Sequence, residues 1–317
     1  MTQPDHPVLV ADVGGTNTRV ALARGHTVVA GSTRRFRNAD HAGLGELLAA
    51  YLAQHRSIPA RAAIALAGPV QGARGEMTNL GWTIDAASLA QDLGLGEIAL
   101  LNDLQAQGHA VVHLPDTHLR RIRAGQPDAA GARLVIGLGT GVNAAPVYAS
   151  GAGHIVPAAE AGHIHLPLRG AQDYRLADWL IQQRGFASVE DVLAGSGLER
   201  LYAFHAQEAH SGHCLDAGAI MAAMENGDAL ARAVGRHYVR LLAQVMADLA
   251  LITLPTGGIY LIGGVARAFA PWLERFGFEA AFTDMGRFSD HVARFAVAIV
   301  EDDYAALTGC AAYLEAR

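Results

Sequence analysis

Two apolar runs flank a polar, glycine-rich turn in "LVADVGGTNTRVALAR", residues 9–24. Val8, Val10 and Asp12 share one face of a period-2 pattern while Leu9, Ala11 and Val13 take the other, which predicts a strand. After the turn, Val20 and Leu22 alternate with Arg19 and Ala21, predicting a second strand. A dinucleotide-binding glycine turn must open a helix whose N-terminus meets the pyrophosphate, so this motif is read instead as a strand-turn-strand hairpin. The idea returns at residues 134–148, "LVIGLGTGVNAAPVY", where an apolar strand enters Gly139-Thr140-Gly141 and continues into another extended stretch. Exposed N–H groups in such turns form anion-binding concavities, glycine lets the backbone approach, and threonine adds a hydroxyl donor. Two of them facing each other could grip a triphosphate.

Between the hairpins the pattern predicts a helix around "LGELLAAYLAQH", a strand "RAAIALAG" ending in Gly68-Pro69, and a strand "EIALLND". Farther on, Leu230, Val234, Leu241, Leu242, Val245 and Leu249 follow helical spacing along "GDALARAVGRHYVRLLAQVMADLALITL", with Pro255 and Gly257-Gly258 as the stop. That helix should run about seven turns and pack a core. "GGIYLIGGVARAF" then predicts a short buried strand, the pair Gly263-Gly264 and a new helix, a junction suited to a flat ligand on bare backbone or simply to a tight turn.

Composition narrows the chemistry. The 317 residues are 51% hydrophobic with 11 prolines, enough for a soluble protein of one large domain or two ordinary ones. Net charge is −6, and the only basic runs, "STRRFR" and "LRRIR", are short and read as solvated surface, so nucleic acid is not an expected partner. All 24 basic side chains are arginine, which excludes a Walker lysine loop, a protein-kinase strand lysine and a Schiff base. Cys214 and Cys310 form no C-x-x-C pair, which fits a reducing compartment and argues against a thiolate zinc site. "MTQPDHPVLV" has no leader pattern and no segment reaches the ~18–20 apolar residues of a membrane span, so the expectation is a cytoplasmic protein without a membrane partner. Two histidine patterns invite a metal reading: His163 with His165, which would share one side of a strand, and "HAQEAHSGHC", with His205, His210, His213 and Cys214. A chain with 15 histidines produces such groups by chance, and the second is read as a solvated helix end and loop.

Taken in order, "ADVGGTNTR", "MTNLGW", "LLNDLQAQ", "IGLGTG", "EAGH", "VEDVLAGSGL" and "GGIYLIGG" resemble the bacterial glucokinase family, within the sugar kinase, actin and Hsp70 superfamily. Each motif is weak singly; seven in order, over nearly the whole chain, are specific. With neither a cysteine-rich zinc motif nor a DNA-binding N-terminus, the chain is similar to the non-zinc branch. The resemblance implies an α/β, two-domain actin-like ATPase (ribonuclease H-like) fold with an interdomain cleft, each domain built on a βββαβα unit. Residues 1–110 would form the small domain, completed by the C-terminal helix 302–317, and 111–301 the large one. It further implies ATP-dependent phosphorylation of D-glucose at the 6-hydroxyl, with Mg²⁺ as cofactor and a homodimer as the assembly.

By the same resemblance Asp103, at the end of the strand "EIALL", is the catalytic base; a carboxylate with an unperturbed pKa of ~3.9 is ionised at pH 7 and can take a hydroxyl proton. The alternative is a strand-end Asp capping the next helix. Ala11, Asp12, Val13, Gly14, Gly15, Thr16 and Asn17 would meet one side of the ATP phosphates, Gly139, Thr140 and Gly141 the other, with Gly263 and Gly264 also against the nucleotide. Asp12 would hold Mg²⁺ through water, or else only pin the turn. Asn79, Asn102, Asp103, Glu160, His163 and Glu190 match the family's glucose-contacting positions, and a ring of such groups suits a ligand whose every hydroxyl donates and accepts. Glu190 could instead be a first-turn helix acid in "SVEDVL", with Ser188 as N-cap. Two departures stand out. The family's second loop commonly continues G-T-G-L-G, whereas here Val142-Asn143 follow; Asn tolerates left-handed geometry, but its side chain could crowd ATP or give it a donor. "EDDYAALTGCA" also lacks a proline often found there. Asn143 motivates an alternative function, a catalytically weak glucose sensor, while a filament-forming or chaperone-like ATPase would leave Glu160, His163 and Glu190 without a ligand.

Overall fold

Alternating apolar positions become strands with both faces covered, and the computed structural model describes them over residues 6–55, 58–77, 80–151, 153–212 and 214–317. Contacts divide the chain into two units, Met1–Pro115 with Val147–Ala158 and Asp302–Arg317, and Asp116–Pro146 with Ala159–Glu301.

The first unit begins with β1 (Val8–Val13), β2 (Asn17–Arg24), β3 (Thr27–Val28) and β4 (Arg34–Arg37), followed by α1 (Leu44–Leu52) and β5 (Arg61–Leu66). Three short strands, β6 (Val70–Gln71), β7 (Arg74–Met77) and β8 (Trp82–Asp85), make a separate small sheet before α2 (Ala86–Leu93), β9 (Glu97–Asn102) and α3 (Asp103–Ala110). The main sheet runs β3-β2-β1-β5-β9, with β4 also on β2. β1 and β2 are antiparallel, while β1, β5 and β9 are parallel. Leu9, Ala11 and Val13 share a core with Leu47, Leu48 and Tyr51 of α1, and Val10 lies on the other face with Ala21, Ala63 and Ala99. The opposite face is built from small side chains, and a helix can lie close against it.

Next along the chain come β10 (Leu119–Arg123), β11 (Arg133–Leu138) and β12 (Val142–Ser150), and β13 (Gly153–Ile155) pairs back on β12. Helices α4 (Ala171–Arg184), α5 (Glu190–Leu193), α6 (Gly195–Glu208), α7 (Ala217–Glu225) and α8 (Ala229–Thr253) lead to β14 (Ile259–Ile262). Next come α9 (Gly264–Arg275), α10 (Phe278–Thr283), α11 (Ser289–Val292) and β15 (Val297–Val300). The sheet order is β10-β15-β14-β11-β12-β13, with β11, β14 and β15 parallel. Each main sheet therefore sets a glycine-turn hairpin beside parallel strands. The α8 helix starts on Asp228, whose side chain accepts from Ala231 N at 2.7 Å, and stops at Leu254 in the left-handed region (φ 47°), just before Pro255.

The last helix, α12 (Ala305–Glu315), packs on the small-residue face of the first unit. Gly309 makes that possible: a Cβ there would stand 1.7 Å from the Ala106 carbonyl of α3. Residues 147–158, expected from the sequence to belong to the larger domain, cluster with the first unit. Gln105 Nε2 donates to Val156 O at 2.9 Å, and Gly108 of α3 sits under Val147 and Val156.

"STRRFR" and "LRRIR" keep most of their arginines exposed, as expected, on β4 and β10, each paired to a neighbour on one side, and charged side chains on such strands discourage further pairing. Two further expectations change. His163 closes a 3-10 turn, Ala161–His163, and His165 makes only an isolated bridge to Ser188, so the two do not share a regular strand. His205 is no solvated helix end but is 8% exposed, its Nε2 2.9 Å from His237 Nδ1. His237 Nε2 in turn meets Asp173 Oδ1 at 2.9 Å, and Arg240 grips both Asp173 oxygens, which ties α4, α6 and α8 together. Burial pushes the Asp173 carboxyl up, but the bonds from His237 and Arg240 outweigh it and hold it well below the usual carboxylate range. His213 lies outside the described residues; among those described, no group of three or more His, Cys, Asp or Glu could hold a metal, and no helix is long and apolar enough to cross a membrane.

Candidate active site

The first glycine turn is fastened from behind. Gly14 N donates to Asn17 O at 3.0 Å, closing the bend between β1 and β2. Asn38, 1% exposed, donates from Nδ2 to Gly14 O at 2.7 Å and from its backbone N to Thr16 O at 2.9 Å, and its Oδ1 accepts from Thr18 Oγ1 at 2.8 Å. The carbonyls of Gly14 and Thr16 are thereby occupied, and the exposed Gly15 and Thr16 keep their N–H groups for an anion, unclaimed among the described residues. Sequence reading missed Asn38, because it acts across 24 residues from a stretch with no pattern of its own.

Asp12 stands opposite Arg19 in the β1–β2 register, and its Oδ2 accepts from Arg19 Nη1 at 3.1 Å. Burial raises its pKa, more than the Arg19 guanidinium lowers it. Among the described residues only Oδ2 is engaged.

Asn102 and Asp103 divide two tasks between them. Asn102 Oδ1 accepts from Gln105 N at 2.6 Å while Asn102 N donates to Gln105 Oε1 at 3.2 Å, a reciprocal cap on α3. The cap is thus Asn102, not Asp103. Asp103 is exposed in the first turn of α3, with Oδ1 accepting from Leu104 N at 2.8 Å, where the helix dipole favours negative charge. Val13 pairs with Leu66 and Leu66 with Asn102, so Gly14 and Asp103 each follow the same registered row. They lie two strands apart, roughly 10 Å, on the carboxyl edge where α/β sheets bind ligands.

In the second unit Gly139 N donates to Gly141 O at 3.0 Å, and Gly195 N donates to Gly139 O at 2.9 Å, bringing the start of α6 to the hairpin. Gly137 pairs with Ile262, so Gly263 emerges on the same edge. At φ +106°, with a Cβ position 2.3 Å from Leu138 O, Gly263 admits no side chain. Gly264, with open space around it, begins α9. The hairpin therefore lies beside two helix N-termini, a floor suited to a phosphorylated ligand. Gly195 was not singled out from the sequence, although it lies within the motif "VEDVLAGSGL".

Glu190 and Asp191 are both first-turn acids of α5, and the two alternatives for Glu190 do not exclude each other. Asp191 makes the reciprocal bonds with Ser188, its N donating to Ser188 Oγ at 3.1 Å and its Oδ2 accepting from Ser188 Oγ at 2.7 Å and Ser188 N at 3.1 Å, while Glu190 Oε2 accepts from Val142 N at 2.8 Å. Glu160 and His163, both exposed, open and close the 3-10 turn, with His163 N donating to Glu160 O at 3.1 Å. Asn143 is not left-handed; its side chain bonds the backbone of Ala159 and Ala161. Asn79 lies outside the described residues.

A family model described as Glucokinase matches residues 9–317. The glucokinase of Chelativorans sp. (strain BNC1) is 33% identical over 312 residues, covering 98% of this chain and 91% of that protein. The glucokinase of Mesorhizobium japonicum is 32% identical over 312 residues, covering 97% and 91%. Among solved structures, a glucokinase from an Antarctic psychrotroph has a TM-score of 0.90 at 30% identity, covering 99% of this chain and 100% of that one. A ROK hexokinase from Thermus thermophilus, at 22% identity and a TM-score of 0.70 over 98% of each chain, shares the fold.

Proposed function

The chain belongs to the glucokinase family, and from that membership we propose that it transfers a phosphoryl group from ATP to the 6-hydroxyl of D-glucose, with Asp103 as base. It is a kinase acting on glucose. The observation that carries the roles is the placement of Asp103 beside the first glycine turn on one sheet edge. A related glucokinase from Streptomyces griseus was solved with glucose and AMPPNP, which supports ATP as donor. The reading extends to an actin-like, ribonuclease H-like fold and to a cytoplasmic homodimer.

Phosphoryl transfer spreads charge over the phosphate oxygens and asks mainly for positioning and neutralisation. Without lysine, backbone donors must supply much of this: the N–H groups of Gly15 and Thr16 from the Ala11–Asn17 segment, and those of Thr140 and Gly141 in the turn that the Gly139 N–H closes, with the Gly263-Gly264 junction. The donor set also fits Mg²⁺. With no three-residue cage among the described residues, an ion must keep mostly water and phosphate oxygens, as Mg²⁺ prefers, and Asp12 Oδ1 is the carboxylate oxygen left to meet one of those waters. When bound, the ion neutralises phosphate charge.

Glu160, His163, Glu190, Asn102 and Asn79 would take the sugar hydroxyls, and a site that bonds each hydroxyl rejects sugars lacking one. Asp103, in the first turn of α3, would accept the 6-hydroxyl proton as the new O–P bond forms and the bond from the γ-phosphorus to the ADP oxygen breaks. A coupled assay for sugar phosphate tests the reading. We expect ATP-dependent product with glucose; glucose-dependent thermal stabilisation without product would instead support the sensor. The Asn143 carboxamide is bound to Ala159 and Ala161, which favours the kinase over the sensor.

A further inference from the structure

We infer that Asn143 is a positioning residue that holds the sugar-binding Glu160 in register with the second phosphate hairpin, an inference that rests on the assignment of Glu160 to glucose made above. Asn143 Nδ2 donates to Ala159 O at 2.5 Å, and its Oδ1 accepts from Ala161 N at 2.9 Å and from Ala144 N at 2.8 Å. One planar carboxamide thus grips the peptides on both sides of Glu160.

Glu160 depends on such a grip. It lies outside helix and strand (φ −129°, ψ 52°), and among the described residues the only other backbone bond across its turn is His163 N to Glu160 O. The neighbouring Gly162 rests directly on the hairpin, since a Cβ there would stand 1.9 Å from Val142 O. Val142 N at the same time holds Glu190 Oε2. Residues 142 and 143, immediately after Gly141, therefore fix both carboxylate-bearing segments to the phosphate loop, and the part peculiar to Asn143 is Glu160.

The amide is the side chain this geometry requires. Ala159 offers a carbonyl and Ala161 an N–H, so one group must donate and accept together. Glycine or alanine supplies neither bond, and an aspartate would press an oxygen against the Ala159 carbonyl. A loosened turn lets the Glu160 carboxylate wander from the sugar while leaving Gly139–Gly141 closed by their own bonds.

Steady-state kinetics of the full chain test this with Asn143→Ala, Asn143→Gly, Glu160→Gln and the double variant Asn143→Ala/Glu160→Gln. Leaving a partly buried donor and acceptor without their carboxamide partner should raise the glucose KM roughly tenfold in both Asn143 variants. The ATP KM should stay within about twofold, because the phosphate hairpin keeps its own contacts. In the Glu160→Gln background the added effect of Asn143→Ala should shrink below about twofold, since residues acting through one another are not additive. A structural role elsewhere would not produce that coupling. An unchanged glucose KM in the Asn143 variants beside a raised one in Glu160→Gln overturns this inference alone. So do fully additive effects, a rise confined to the ATP KM, or loss of the fold in both Asn143 variants. An unchanged glucose KM in Glu160→Gln overturns the sugar assignment and this inference with it.

Discussion

Single polar side chains hold both glycine turns. Asn38 occupies the carbonyls behind the first, and Glu190 and Asn143 brace the exit of the second. Asn38→Ala would leave Gly14 O and Thr18 Oγ1 unpaired in a buried place, a cost of about 1–3 kcal/mol. Because the turn is proposed to meet phosphate, we expect the ATP KM to rise roughly tenfold and the glucose KM to move little. Kinetics with each substrate varied in turn would show it, and equal changes in both would speak against the strut. At this scale the sequence was readable for residue type but not for partner. The glycine turns announce themselves by local pattern, whereas Asp12 and Asp103 take their proposed roles from the family resemblance. Asn38 acts across 24 residues and Glu190 across 48, so no window of sequence contains both ends of either contact. The same limit left Glu190 legible as a first-turn acid but hid its bond to Val142 N.

Elements were the most legible level. Period-2 runs on either side of each glycine turn produced the hairpins, and the apolar stripe from Leu230 to Leu249 produced α8. The polar residues that join helices to one another were hidden. Asp173, His237, Arg240 and His205 belong to three helices, and His205 lay in a stretch whose histidines and exposed Cys214 suggested solvent. Asp173→Ala should strand the buried His237 and leave Arg240 without its carboxylate. Breaking a buried pair in this way costs about 3–5 kcal/mol, which denaturant unfolding would register as a lower midpoint. A midpoint close to wild type would mean the helices hold without the tie.

For the whole molecule, two buried histidines predict acid lability. His109 is pushed down to about 4 by burial, then by His154 and His113. His205 is likewise pushed down to about 4 by burial, then by His237. Between pH 4 and the ordinary histidine value of 6.5 the unfolded chain takes up protons that the folded chain does not, so stability falls as pH drops through that window. Each histidine contributes on the order of 1–3 kcal/mol. Tm should therefore be lower at pH 5 than at pH 7, and His109→Gln should narrow the gap; a flat profile would contradict both assignments. The domain plan was legible only in outline. Residues 147–158 follow the second hairpin in sequence yet pack under α3, because Gly108 and Gln105 offer them a surface that no local pattern advertises.

The central claim is that Asp103 takes the proton from the sugar, and Asp103→Ala, measured for both turnover and binding, tests it most directly. Loss of general-base help should lower kcat by about 10²–10⁴ while glucose still raises the melting temperature. Turnover close to wild type, with glucose bound as before, would contradict the assignment of the base.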